Sequence, residues 1–248
     1  DALIITGANV TDPDLRLAPF YEQLREVVDW SYENVTSTLC SCLATHAVLE
    51  FKYGQKRKPV GKKHWGVFPH KVIDRTHPLV KGVNTRFDIP HSRFNEVSES
   101  QFEEANAVVL AKSSIGVHLA VSPDLFRIVF FQGHPEYDSV SLLKEYKREV
   151  ALYLEKSTTE YPPFPSNYLS SQSRAILTEY RTRLISKMAT IKDFPEELIT
   201  KALDNTWHDS ASAIINNWIG CVYQVTNENI RKPFMEDINP NNPLNLEK

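Results

Sequence analysis

A β-branched run, Val35-Thr36-Ser37-Thr38-Leu39, leads through Cys40-Ser41-Cys42 into a stretch from Ala44 to Tyr53 that ends at Gly54. The first part reads as a strand. The second reads as a helix, with apolar faces from Leu43, Ala47, Leu49 and Phe51 and a glycine stop. Cys42 therefore lies where a strand turns into a helix. Such a turn needs a sheet with helices packed on it, and it presents the sulfur at the carboxyl edge of that sheet, at the positive end of a helix. A free thiol titrates near ~8.5, and a helix N-terminus with a neighbouring imidazolium is the setting that makes a thiolate nucleophile at neutral pH. Gly133-His134-Pro135-Glu136-Tyr137-Asp138 supplies the missing partners. His134 and Glu136, two residues apart, are expected as the base and the group that orients it.

The rest of the chain supports an α/β domain. Ala2 to Thr6, Trp65 to Phe68, Phe87 to Pro90, Ala107 to Lys112, Val117 to Val121 and Ile128 to Phe131 read as strands. Phe20 to Trp30 and Val140 to Leu154 have helical spacing, and Trp207 to Gln224 forms a long apolar helix. Mixed elements with reactive residues at strand ends predict a doubly wound α/β sheet. Between Gln172 and Asn205 the texture changes to helices alone, one marked by Ile176 to Met188 and a second started by Asp193 with Glu196. This segment, about 170–206, is expected as a helical insertion in a single domain spanning 1–231. Residues 232–248, rich in Pro and Asn, are expected to form an extended or mobile tail. Lys56, Arg57, Lys58, Lys62 and Lys63 suggest a basic loop, either solvated or docking a phosphorylated cofactor.

Composition excludes several classes. The net charge of −3 gives no footprint for nucleic acid or a membrane surface, and no apolar run approaches the roughly 20 residues of a span. Three cysteines suit a reducing cytosol better than a disulfide framework, so a cytoplasmic location is expected. Cys40 and Cys221 read as core. His64, His70, His91 and His118 lack zinc-like spacing, so no metal site is expected. The chain opens at Asp1 directly into a strand, which suggests that first strands are missing here and supplied by an upstream segment or a second chain.

Several motifs occur in order: Ser37-Thr38-Leu39-Cys40-Ser41-Cys42, Pro90-His91-Ser92-Arg93-Phe94, Gly133 to Asp138, Asn167-Tyr168, and Asn217-Trp218 with Val222-Tyr223-Gln224. Together they resemble the homoserine O-acyltransferases, which share the flavodoxin-like fold of class I glutamine amidotransferases. The resemblance covers about 1–231 apart from roughly 170–206. It implies ping-pong transfer of an acetyl or succinyl group from acetyl-CoA or succinyl-CoA to homoserine through a Cys42 thioester, in methionine biosynthesis, with no bound cofactor. It implies Lys63, Ser92 and Arg148 as substrate-binding residues. The backbone N–H groups of Leu43 and Ala8 become the oxyanion donors, and Thr11 takes the acyl-selecting position. A Gly there accompanies succinyl and a Glu accompanies acetyl, so Thr11 leaves the acyl group open. A homodimer is expected, with the aromatics of Trp207 to Tyr223 in the core or at its interface.

Some residues depart from the family pattern: Leu43 replaces a Trp, and Trp207-His208-Asp209-Ser210 and Thr226 to Asn229 differ. These leave serine or another hydroxy amino acid open as acceptor. Two other classes stay open from the residues themselves. One is a glutaminase-type subunit, disfavoured because Cys42 is not flanked by glycines. The other is a non-catalytic, partner-binding paralogue.

Overall fold

The computed structural model describes every residue except Ile230 and Lys248. The strands are β1 (Ala2–Ile5), β2 (Ser37–Ser41), β3 (Lys58–Val72), β4 (Arg86–Glu96), β5 (Val108–Ser113), β6 (Gly116–Val121) and β7 (Ile128–Phe131). They form one 7-stranded sheet in the order β1-β2-β7-β6-β5-β3-β4. The parallel, doubly wound part is confined to β1, β2 and β7. From β6 outward the sheet continues antiparallel.

Alternation along the strands builds two cores. On one face Cys40 and Phe130 pack beneath α1 (Tyr21–Asn34), α2 (Leu43–Tyr53) and α3 (Glu99–Glu104) through Val28, Val48 and Phe102. On the other, Leu39 and Phe131 meet α4 (Ser141–Leu154), α5 (Ser171–Ile185), α6 (Glu196–Thr200) and α7 (His208–Val225) through Leu143, Leu177, Ile199 and Trp218. Phe130 and Phe131, neighbours in sequence, are both fully buried in opposite cores. Each stabilises the fold by about 1.5–3 kcal/mol.

Several expectations shift. Strand β2 starts two residues later than its β-branched run and extends through Ser41, so the turn falls on Cys42 itself. Lys58 to Lys63 is not a loop. It belongs to β3, which pairs with β4 across an irregularity between Pro59 and His64, and that irregularity accommodates the proline. His91, Ser92 and Arg93 likewise lie within β4 rather than after a short strand. Asp193 does not start α6. Its carboxylate accepts from the N–H and hydroxyl of Thr190 and closes a 3-10 turn over Ile191–Asp193. The segment 170–206 packs on the outer side of α4, where Phe194 lies between Tyr146 and Tyr180. The tail carries no helix or strand among its described residues, yet Phe234 is buried, and Ile238, Leu244 and Leu246 pack against the same core. It is docked rather than free.

A proline-rich connection is tied to β3 at Gly66. The Val67 N–H donates to the Ser166 carbonyl (2.9 Å), and the Ser166 N–H donates to the Trp65 carbonyl (2.8 Å). Gly66 has φ 140°, and a Cβ there would lie 2.2 Å from the Ser166 oxygen. Gly66→Ala is predicted to lower stability by about 2–3 kcal/mol. Chemical denaturation followed by tryptophan fluorescence reads this directly, and an unchanged midpoint contradicts the close approach.

Candidate active site

Cys42 adopts φ 51°, ψ −110°, a conformation costly for any residue with a side chain. The surrounding bonds enforce it. The Cys42 N–H donates to the Phe131 carbonyl at 2.7 Å, locking the end of β2 to the end of β7. The Thr45 hydroxyl sits 2.9 Å from the Cys40 carbonyl and 2.8 Å from that of Phe131. Gly7 closes over the turn: a Cβ there would lie 3.1 Å from Cys42 Cβ and 3.4 Å from the Leu43 nitrogen. The thiol is buried but opens into a cleft bordered by Ala8, Val10, Leu43, Ser92, His134 and Arg148, among others.

His134 follows β7 directly. Its N–H donates to the Pro90 carbonyl (2.8 Å), its Nδ1–H donates to Glu136 Oε1 (2.9 Å), and its ring stacks on Tyr137 at 4.3 Å. That leaves Nε2 for the Cys42 sulfur. Burial opposes a charge on this ring, but the charge and hydrogen bond of Cys42, joined by those of Glu136, outweigh it and push its pKa up. Glu136 also accepts from Ser41 Oγ (3.0 Å). Burial pulls its pKa upward, but the hydrogen bonds from His134 and Ser41 hold it below the usual carboxylate value.

Gly133 has no room for a side chain: a Cβ would lie 2.5 Å from Ile89 Cγ2 and 2.8 Å from His91 Nε2. Behind it the histidines form a backing, not a ligand set. Arg93 Nε donates to His91 Nδ1 (3.3 Å), so the Nε2–H of His91 donates to His70 Nε2 (3.3 Å) and His70 Nδ1 donates to the Phe68 carbonyl (2.8 Å). His118 Nδ1 accepts the Gly133 N–H (3.3 Å). Burial keeps all three rings neutral by lowering their pKa values. Among the described residues no group of three His, Cys, Asp or Glu is placed to hold a metal ion.

The opposite wall centres on Glu145. Its carboxylate accepts from Ser92 Oγ (2.6 Å), Tyr137 Oη (2.6 Å) and Trp65 Nε1 (3.0 Å), and Lys63 Nζ lies 3.9 Å away. Lys63 also sits over the Trp65 ring at 4.3 Å. Arg148 is half exposed at the cleft and pairs with Glu149 at 3.4 Å. The structure thus brings Lys63, Ser92 and Arg148 into one cleft with Cys42 and His134. Thr11 stands apart. It is exposed and absent from the cleft lining, and its carbonyl accepts from Asn95 Nδ2 (2.9 Å).

Sequence reasoning missed Ser41, Glu145, His46 and the buried role of Arg57. Ser41 carried a signal, since it alternates between two cysteines on one strand. His46, one turn into α2, gives Nε2–H to Gln132 (3.0 Å) and lines the cleft with an unpartnered Nδ1. Burial lowers its pKa to about 3, so it stays neutral.

This geometry can be set against known proteins. The family model of homoserine O-succinyltransferase matches residues 1–228. The chain belongs to that family. Curated relatives agree: the homoserine O-succinyltransferase of Nitrosococcus oceani is 62% identical over 252 residues, covering 100% of this chain and 70% of its own length. That of Allochromatium vinosum is 60% identical, covering 99% and 70%. The first of these alignments runs the length of this chain, so the segment 170–206 lies within it. A glutamine amidotransferase from Methylobacillus flagellatus superposes with a TM-score of 0.50 at 15% identity, covering 88% of this chain and 75% of its own. At that identity the likeness is one of fold, a class I amidotransferase-like architecture. No described helix is long and apolar enough to cross a membrane.

The coupling between Cys42 and His134 has a measurable consequence. Alkylating Cys42 with iodoacetamide removes the negative partner, so the His134 pKa is predicted to fall toward its ordinary value. Imidazole ¹⁵N NMR titration before and after alkylation reads this, and an unmoved His134 resonance contradicts the pairing.

Proposed function

We propose that this chain transfers a succinyl group from succinyl-CoA to the hydroxyl of homoserine through a thioester on Cys42. The observation that carries this reading is the strained Cys42 turn facing the His134–Glu136 pair inside a cleft bordered by Lys63, Ser92 and Arg148. The names of its relatives favour succinyl over acetyl and homoserine over serine.

In the first half-reaction the Cys42 sulfur attacks the carbonyl carbon of the CoA thioester. The tetrahedral intermediate collapses with loss of the CoA thiolate, which takes the proton from the His134 imidazolium. In the second, the homoserine hydroxyl attacks the acyl-enzyme, His134 takes its proton, and the Cys42 thiolate leaves. The titration of His134 suits both steps. While Cys42 is free, its charge sustains the imidazolium. Once Cys42 is acylated that support disappears, and a neutral ring is available as a base. Glu136 holds Nδ1 protonated throughout, and Ser41 holds Glu136. The N–H groups of Leu43 and Ala8 serve the oxyanion, and one such donor is worth ~10²–10³ in rate.

The remaining wall fits a zwitterionic amino acid. Glu145 and the free lone pairs of Ser92 Oγ receive its ammonium, while Arg148 and Lys63 receive its carboxylate. A neighbouring groove lined by Lys62, Trp65, Phe94, Pro163 and Phe164 shares Lys63 and Phe94 with the reactive cleft, and it offers the pantetheine arm a route to the sulfur.

Intact-mass measurement tests the reading. The chain incubated with succinyl-CoA alone is predicted to gain one succinyl group, and to lose it on adding homoserine as O-succinylhomoserine forms. Cys42→Ala gains none, and His134→Ala lowers kcat/KM by roughly 10²–10⁴-fold. Turnover without any enzyme-bound acyl group, or in Cys42→Ala, contradicts it.

A further inference from the structure

Four lysine and arginine side chains border the cleft: Arg57, Lys63, Arg93 and Arg148. Three are already engaged or solvated. Arg93 spends its donors on His91, Glu96 and the carbonyls of Asn95 and Ile115. Lys63 faces Glu145, and Arg148 lies half exposed beside Glu149.

Arg57 differs. It is 5% exposed, and its acceptors are all neutral: the carbonyls of Val10 (3.0 Å), Pro13 (3.4 Å) and Asp12. No carboxylate lies within ion-pair distance among the described residues, and Nη1 has no protein acceptor there. A guanidinium kept from water without a counter-ion is costly, because backbone carbonyls stabilise the charge less than a carboxylate does. A buried cation of this kind at the rim of a reactive cleft is suited to an anion that arrives with the substrate.

The place of Arg57 selects which anion. Its Nη2 is held by Val10, on the same short loop whose Gly7 packs against Cys42. It belongs to the wall beside the sulfur, whereas Glu145, Lys63 and Arg148 form the other wall. In a succinyl thioester only two methylenes separate the reacting carbonyl from the terminal carboxylate. The phosphates of CoA lie at the far end of the pantetheine arm, many bonds from the reacting carbonyl. We infer that Arg57 receives the terminal carboxylate of the succinyl group and so determines acyl specificity, an inference that rests on the acyl-transfer reading above. The loop Val10–Pro13 acts as its frame: three carbonyls hold Nε and Nη2 and leave the Nη1 donors without a protein acceptor among the described residues. Thr11, exposed itself, lies between two of the carbonyls that aim Arg57.

Acylation of Cys42 by succinyl-CoA and by butyryl-CoA, which has the same chain length but no carboxylate, tests this. Rates are read as enzyme-bound acyl group by mass, in the wild type, Arg57→Met and Arg57→Lys. The succinyl-to-butyryl rate ratio is expected to be large in the wild type, to fall at least ~30-fold in Arg57→Met, and to recover in part in Arg57→Lys. A merely structural role would slow both donors alike and leave the ratio unchanged, which overturns the inference. A wild type that takes butyryl-CoA as readily as succinyl-CoA overturns it without any variant. Should Arg57→Met fail to fold, Arg57→Lys decides: a ratio equal to that of the wild type, with no loss from the changed donor geometry, counts against recognition by the guanidinium. If neither donor acylates the wild type, it is the acyl-transfer reading that fails.

Discussion

The hydrogen bond from the Cys42 N–H to the Phe131 carbonyl joins the ends of β2 and β7, and the site depends on it. Parallel pairing of these two strands puts their carboxyl ends side by side, so the thiol and His134, far apart in sequence, emerge at one edge. The strained turn at Cys42 persists because Thr45, Phe131 and Gly7 determine it from three sides. Strain at the nucleophile is thus held by two strands whose every residue is buried, with Phe130 and Phe131 anchoring β7 in separate cores.

Electrostatics divide the cleft in two. One side is a hydrogen-bonded line from Glu136 to His134, beside Cys42, steadied by Ser41 and stacked on Tyr137. The other is a polar wall organised by Glu145, which gathers Ser92, Tyr137, Trp65 and Lys63. Tyr137 links them, its ring on His134 and its hydroxyl on Glu145. The Tyr137 carbonyl in turn accepts from Trp207 Nε1 (2.7 Å), so the start of α7 braces the reactive edge from behind. The neutral histidines under Gly133 complete this support: they fill space against a glycine and carry no charge that would compete with the reactive pair.

Much of this was legible in the sequence, for physical reasons. The Cys42 turn and the His134–Glu136 spacing are local patterns, where a few residues determine both backbone and chemistry. The strands Val117 to Val121 and Ile128 to Phe131 were readable because buried strands are continuous apolar runs. What was not legible depends on partners distant in sequence. The run from Lys56 to Lys63 reads as a loop because it is charged and holds Pro59 and Gly61. Pairing with β4 makes most of it a strand, and the carbonyls of Val10, Asp12 and Pro13 hold the buried Arg57; neither fact is encoded within the run itself. Glu145 has no local signal, because its partners Ser92 and Tyr137 come to it only through tertiary packing. Asp193 sits three residues from both Thr190 and Glu196, and only the path of the chain selects Thr190.

The account's central claim is that one sulfur carries the acyl group between two substrates. A crystal structure of the chain soaked with succinyl-CoA in the absence of homoserine tests it most directly. The account predicts continuous density from Cys42 Sγ to a succinyl group, with the thioester oxygen facing the N–H groups of Leu43 and Ala8. An unmodified Cys42, or a succinyl group bonded to any other side chain, would contradict it.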